Sequence, residues 1–303
     1  MHPLSFRQNL VAALLIFIGA VFFSTKAIII KLAYLEGVDS ISLLTLRMLF
    51  SLPAFLAVAW YSRNNSASKK YHLKRKDWWQ IAFLGMAGYY LASLFDFLGL
   101  KYVTASLERL ILFVYPTMVL LISAIFFKEK IYKRQFVALL LTYLGIAIAF
   151  LEGANLSGSS NFALGGLLVF GAGFMFAIYI VGSGHLLPRV GTFRYTSYAM
   201  TAACFAIVSH HAIMNHLQLF HFAASVYWHA LLMAVIATFL PSFMVAEGIR
   251  IIGSNNAAII GSIGPISTIV LACIFLGEHL GTWQWLGTFF VIAGVLLLAL
   301  KRR

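Results

Sequence analysis

Ten long apolar runs, parted by short polar stretches, make up almost the whole chain. They fall at 9–30, 41–61, 78–98, 104–127, 134–151, 163–183, 193–214, 225–249, 254–276 and 283–300. Within each run the apolar residues are continuous rather than alternating, which fits helices and not the strands of a membrane barrel. About 20 apolar residues in helical form cross a bilayer core, and lipid accepts only elements whose backbone polar groups are satisfied internally. The pattern predicts an all-α polytopic membrane protein with ten transmembrane helices.

The polar marks within these runs are written twice. At a spacing of 149 residues, Gly99 falls on Gly248, Lys101 on Arg250, Pro116 on Pro265, Glu129 on Glu278, Gln135 on Gln284 and Gly145 on Gly294. Hydrophobicity alone would not place several of these residues, so the repetition reads as two fused repeats. The first covers 1–151 and the second 162–303, joined by the Gly/Ser-rich stretch EGANLSGSSN at 152–161 as an external linker. The first three spans of each half correspond at a spacing near 152. There Val38 meets Val190 and Met48 meets Met200, but Arg47 meets Ala199. Each repeat has five spans, an odd number, so the second copy is expected to sit inverted in the membrane relative to the first.

Charge tests that inversion. Only 10% of the chain is charged and 62% is hydrophobic, against about 25% charged in an ordinary soluble domain. A formal net charge of +13 would suggest a nucleic-acid partner in a soluble chain. Here the basic residues gather in alternate loops, and no nucleic-acid partner is expected. With the N-terminus inside, the inner segments hold Arg7, six basic residues at 62–77, four at 128–134, Arg189, Arg194, Arg250 and three at the C-terminus. Only Lys31 and Lys101 fall outside. This predicts a bacterial inner-membrane protein with both termini cytoplasmic. The inversion predicts that basic loops lose their charge in the second copy. KEKIYKR indeed becomes EHLGTWQ, and HLKRKDWW corresponds to a stretch at 210–224 without Lys or Arg. Trp60, Tyr61, Trp78 and Trp79 flank the basic loop at 62–77, while Trp228, Trp283 and Trp285 mark the opposite interface. The apolar run after Arg7 extends to Ile30 without a small-residue cleavage site, so it reads as an uncleaved first span. Cys204 and Cys273 lie inside apolar runs and read as small buried hydrophobes.

Charges inside spans cost about 2.5–3.5 kcal/mol each at a helix centre and need a reason. Lys26, Arg47, Asp96, Glu108 and Arg109 share one level in the outward half of the first repeat. As a functional set they predict a polar cavity or gate that contacts a charged substrate, with Arg47 foremost. As a structural set, Lys26 and Arg109 would snorkel to the headgroups while Arg47 pairs with Asp96 or Glu108. Glu247, three residues before Arg250, reads as a local ion pair or as a proton-accepting carboxylate. No second acidic residue at mid-membrane suggests an obvious proton relay. Pro116 and Pro265 occupy equivalent places in two spans and are candidates for hinges or gates. Tyr89, Tyr90, Tyr115 and Tyr179 are candidates to line the cavity. The histidines at 210, 211, 216, 221 and 229 match no standard zinc spacing, so neither a metal nor a cofactor is expected. No phosphate loop, nucleophile elbow or HExxH motif occurs. The chain therefore does not read as an enzyme, and transport would draw on a gradient or on a partner.

LKYVTAS followed by YPT and FFKEK in the first half, GIRIIGSNNA followed by GPIS and FLGEH in the second, and Arg47 within SLLTLRMLF carry a family likeness. Over essentially its whole length the chain resembles the drug/metabolite transporter superfamily, EamA type. The resemblance implies two inverted five-helix repeats, a central cavity and alternating access, usually for export of small metabolites. FFS at 22–24 departs from a Trp-containing family motif, and Ala199 stands where the second repeat has an arginine. The expected function is secondary active transport of small polar metabolites, amino acids or related compounds, out of the cell. Two alternatives make different structural predictions. A nucleotide-sugar or lipid-linked sugar translocator would have a larger basic cavity. A non-transporting membrane scaffold or sensor would have a packed interior with its charges paired to each other.

Overall fold

A computed structural model describes residues 6–64, 73–127, 133–157, 161–261 and 264–299, and every regular element in it is helical. In chain order these are α1 (Phe6–Tyr34), α2 (Ser40–Asn64), α3 (Arg75–Gly85), a π-helical turn at Met86–Leu91, α4 (Ala92–Gly99), α5 (Ala105–Leu112), α6 (Tyr115–Phe127) and α7 (Lys133–Ser157). They are followed by α8 (Phe162–Val190), α9 (Thr192–Asn215), α10 (Ala224–Ala234), a second π-helical turn at Val235–Phe239, α11 (Leu240–Gly261), α12 (Gly264–Leu276) and α13 (Thr282–Ala299). Six helical stretches are long and apolar enough to cross a membrane, and two shorter apolar helices accompany them. Large apolar side chains such as Leu14, Phe17, Leu140, Phe170 and Phe289 point outward, as do Trp60, Trp79, Trp228 and Trp283. Such a surface is stable only where lipid is the solvent. Glu129, residues 65–72, 158–160 and 301–303, and the side chain of Pro265 lie outside the described set.

The element boundaries recur at the sequence spacing. α3 and α10 start at Arg75 and Ala224, and the π-turns at Met86 and Val235, each pair 149 residues apart. The third span thus follows the 149 spacing and not the 152 expected for it. The spacing instead grows from 149 to 152 at α2 and α9, and to 156 at α1 and α8, through insertions in loops. Residues 35–39 join α1 to α2, whereas Gly191 alone joins α8 to α9. Gly191 makes that corner with φ of 86°, a backbone region that favours glycine. Two further expectations shift. α7 stays helical to Ser157, so half of the predicted linker is helix. Cys273 is exposed rather than buried, because its face of α12 looks outward, while Cys204 is in the core.

Helix pairing follows the same correspondence. α1 packs against α11 and α12, while α8 packs against α4 and α6; α2 pairs with α9, and α7 with α13. The α7–α13 contact is made of small residues. A Cβ on Gly145 would fall 2.5 Å from the carbonyl oxygen of Gly287, and one on Gly294 would fall 2.7 Å from that of Ala138. Moving back along α7 from 145 to 138 moves forward along α13 from 287 to 294, so the two helices cross antiparallel. Small residues let membrane helices gain dispersion contact that bulkier ones would block.

α2 begins on a cap. Asp39 Oδ1 accepts the backbone N–H groups of Ile41 and Ser42, both at 3.0 Å. Burial pushes the Asp39 carboxyl up, but its bonds from Ser42 and Ile41 and the nearby Lys101 hold it below the ordinary carboxylate range. Asp39→Ala is expected to cost about 0.5–2 kcal/mol of stability, read by thermal unfolding in detergent. A carboxyl whose folded-state pKa is depressed stabilises the fold above its unfolded value, about 3.9. The difference between wild type and variant should therefore hold at neutral pH and shrink as pH falls through the folded-state value.

Candidate functional site

A cavity of about 120 Å³ opens where α1, α2, the Met86–Leu91 turn, α4, α5, α8, α11 and α12 meet. A buried water needs about 10–15 Å³ measured this way, so the space holds several waters or a small organic molecule. Local backbone irregularity shapes it. In the second π-turn the cause is legible, since Pro241 cannot donate to the helix ladder and Thr238 bonds five residues back to the Met233 carbonyl. The first π-turn has no proline. It sets Gly88 against Tyr179, where a Cβ would collide with the ring, and turns Tyr89 inward to meet the Tyr179 hydroxyl at 3.1 Å. Such π-turns occur often at functional sites.

The fourth span is broken at Phe113–Val114, between α5 and α6. Thr104 caps α5 by accepting from Leu107 N. The Glu278 carboxylate, from the other half of the chain, accepts the N–H groups of Ala105 and Ser106 at 2.8 and 2.9 Å. Pro116 is the second residue of α6, where a missing N–H costs nothing. It therefore follows a break rather than kinking a continuous helix, and Pro265 holds the same place in α12.

Six of the residues singled out in the sequence line the cavity: Lys26, Arg47, Tyr89, Asp96, Arg109 and Tyr115. Their partners differ from both expected arrangements. Lys26 does not snorkel; its Nζ lies 2.5 Å from Asp96 Oδ2. Arg109 donates to the Phe23 carbonyl at 3.2 Å and stands 3.6 Å from Glu108. Arg47 is 2% exposed and meets no carboxylate. Its Nη2 reaches only Ser93 Oγ, at 3.4 Å, its Nε and Nη1 have no hydrogen-bond partner, and its guanidinium lies 5.3 Å from the Phe97 ring centre.

The remaining residues lie elsewhere. Glu108 is fully buried behind the cavity wall. Tyr179 stands behind Tyr89, and the Tyr90 hydroxyl bonds to His210 Nδ1 at 3.1 Å. Glu247 sits apart from the cavity, between Arg250 and Thr192. Sequence reasoning missed Ser93 and Ser24. The Ser24 hydroxyl donates to the carbonyls of Ala20 and Gly264 at 2.8 Å, tying α1 to the start of α12.

The cavity wall is lopsided. Where the first half contributes Asp96, Arg109 and Tyr115, the residues 149 positions on are Val245, Ala258 and Gly264, and these also line the cavity. The second half thus supplies room and the first half supplies charge. The chain matches the EamA-like transporter family over residues 10–151 and 163–300. It belongs to that family. It is 32% identical over 296 residues to a Bacillus subtilis (strain 168) protein described as "Uncharacterized transporter YcbK", covering 95% of this chain and 94% of that one. A Salmonella typhimurium protein described as "Uncharacterized inner membrane transporter YicL" is 24% identical over 236 residues, covering 76% and 75%. A crystal structure superposes with a TM-score of 0.68 at 17% identity, over 94% of this chain and 95% of the other, so the fold is shared. This EamA-like chain is an integral membrane transporter. Because Glu278 satisfies two N–H groups at the start of α5, Glu278→Ala should destabilise the transporter by about 1–3 kcal/mol. Glu278→Gln, which keeps one acceptor, should lose less; thermal unfolding in detergent compares them.

Proposed function

We propose that this EamA-like protein is a secondary active transporter. It exports small polar metabolites, amino acids or related compounds, across the bacterial inner membrane by alternating access. In this reading residues 1–151 and 162–303 are two inverted five-helix repeats around an external linker, with both termini cytoplasmic. The recurrence of helix boundaries at 149 residues supports the repeat. The antiparallel α7–α13 crossing, in which each helix offers the same pair of positions to the other, supports the inversion. The distribution of Lys and Arg supports the orientation. The two halves rock about the cavity, and Pro116, just after the break at Phe113–Val114, and Pro265, the second residue of α12, serve as hinges.

The observation that carries the substrate assignment is the Arg47 guanidinium. It is buried beside the cavity with two donor nitrogens unused. A guanidinium cannot discharge in a protein and presents a planar fork that matches a carboxylate. An anionic oxygen pair in the cavity would satisfy it, and a zwitterion could place its ammonium near Asp96. The cavity volume suits a small molecule better than a nucleotide-linked sugar. An unpaired guanidinium beside open space also runs against a scaffold with a packed, fully paired interior.

Arg47→Ala should insert and fold yet abolish flux of the transported amino acids into proteoliposomes. Arg47→Lys, which keeps the charge but loses the fork, should retain only a small fraction of it. Wild-type flux in Arg47→Ala would make the arginine structural and remove the cavity as the substrate site.

A further inference from the structure

Among the described residues, Asp96 is the one acidic side chain that lines the cavity. It is the natural partner for a substrate ammonium, yet the chain itself already holds that place. Lys26 brings its own ammonium, on a flexible stem, to 2.5 Å from Asp96 Oδ2. Glu108 stands 3.6 Å from Arg109, behind the cavity wall. Of the three cations that line the cavity, Lys26 and Arg109 thus have a carboxylate and Arg47 has none. The neutral oxygens are engaged as well. The Phe23 carbonyl accepts from Arg109, and the Tyr115 hydroxyl donates to the Ala258 carbonyl at 3.0 Å. The Tyr89 hydroxyl meets that of Tyr179, and Ser93 Oγ accepts from Arg47. Donors are in surplus, at Arg47 Nε and Nη1. An ammonium brings three more donors and no acceptor, whereas an ionised carboxylate brings only acceptors.

We propose that Lys26 is a specificity-determining residue. As a built-in ammonium seated on Asp96, it makes the site favour small carboxylates without a free amine, such as 2-hydroxy acids, over the matching amino acids. This rests on the transport reading given above and narrows its substrate class. A monoanion on Arg47 brings the site to neutrality, whereas a zwitterion leaves the excess positive charge in place. To reach Asp96, the ammonium of a zwitterion must also displace Lys26, and a displaced lysine is a buried cation without a counter-ion. A 2-hydroxy acid differs from the amino acid of the same side chain in having a neutral hydroxyl where the ammonium would be. That hydroxyl both donates and accepts, and it needs no carboxylate partner. Removing Lys26 reverses the balance. Asp96 is then free, and an ammonium supplies the positive charge it lacks.

The test uses the full chain, purified in detergent at neutral pH, and matched pairs from L-lactate and L-alanine up to L-3-phenyllactate and L-phenylalanine. Thermal stabilisation as a function of ligand concentration gives the apparent affinity for each. In the wild type each 2-hydroxy acid that binds should do so roughly tenfold more tightly than its amino acid, the worth of one hydrogen bond to a charged group. In Lys26→Met the order should reverse. Lys26→Gln keeps a donor toward Asp96 without the charge and serves where Lys26→Met does not fold; there the lead of the hydroxy acid should shrink. Suppose instead that an amino acid binds the wild type as tightly as its hydroxy acid, and that Arg47→Ala abolishes this binding. The role of Lys26 is then overturned while the carboxylate site stands. A lead that is unchanged in the Lys26 variants overturns that role as well. Binding of no carboxylate by the wild type, or equal binding by Arg47→Ala, overturns the carboxylate site and the inference with it.

Discussion

The site turns on which cation takes Asp96. An apolar interior that holds Lys26, Arg47, Asp96, Glu108 and Arg109 has more positive than negative charge to place, and an unpaired buried ion is costly. Lys26 meets Asp96 at 2.5 Å. With that carboxylate committed to Lys26, Glu108 beside Arg109 and Arg109 donating to the Phe23 carbonyl, Arg47 makes no ion pair among the described residues. The protein keeps that charge buried by stacking it near Phe97 and opening a cavity beside it. That missing negative charge is what the proposed carboxylate substrate would supply.

The scaffold around this charge is repeated, and the chemistry is not. Helix starts and π-turns recur at one spacing, and the pairings α1–α11 with α4–α8, and α1–α12 with α6–α8, exchange under the same correspondence. Yet every charge lining the cavity comes from the first half. Positions that carry Asp96 and Arg109 there carry Val245 and Ala258 in the second. The helix order of the two bodies thus recurs, while the few wall residues that differ between them give the cavity its one-sided charge. The Glu278 carboxylate, seated on the start of α5 across the halves, holds the bodies in register in this conformation.

Much of this was legible in the residues. Long apolar runs map onto helices because lipid leaves no other option, and the ends found in the structure lie within a few residues of those runs except at α7, which continues to Ser157, at α8, which continues past Pro188 to Val190, and in α11, where a kink at Gly253 stands in place of a loop. The five intramembrane charges announced the site because their burial needs a reason. What remained hidden was pairing. One-dimensional depth placed the five charges at a common level, but only helix rotation, set partly by the π-turn that precedes α4, decides that Lys26 rather than Arg47 reaches Asp96. The π-turns themselves have no composition signal in the first half. Ser24 and Ser93 were missed because a serine in a membrane helix usually satisfies itself on its own backbone, as Ser51 does on the Met48 carbonyl.

The proposed function depends most on Arg47 binding a carboxylate. The most direct measurement is a ligand-stabilisation screen of purified protein against amino acids, nucleosides and neutral sugars, run in parallel on wild type and Arg47→Ala, since a ligand of the folded state raises apparent stability. Stabilising compounds in the wild type should all carry a carboxylate, and their effect should disappear in the variant. Stabilisation by an uncharged sugar or nucleoside that persists in Arg47→Ala would contradict it.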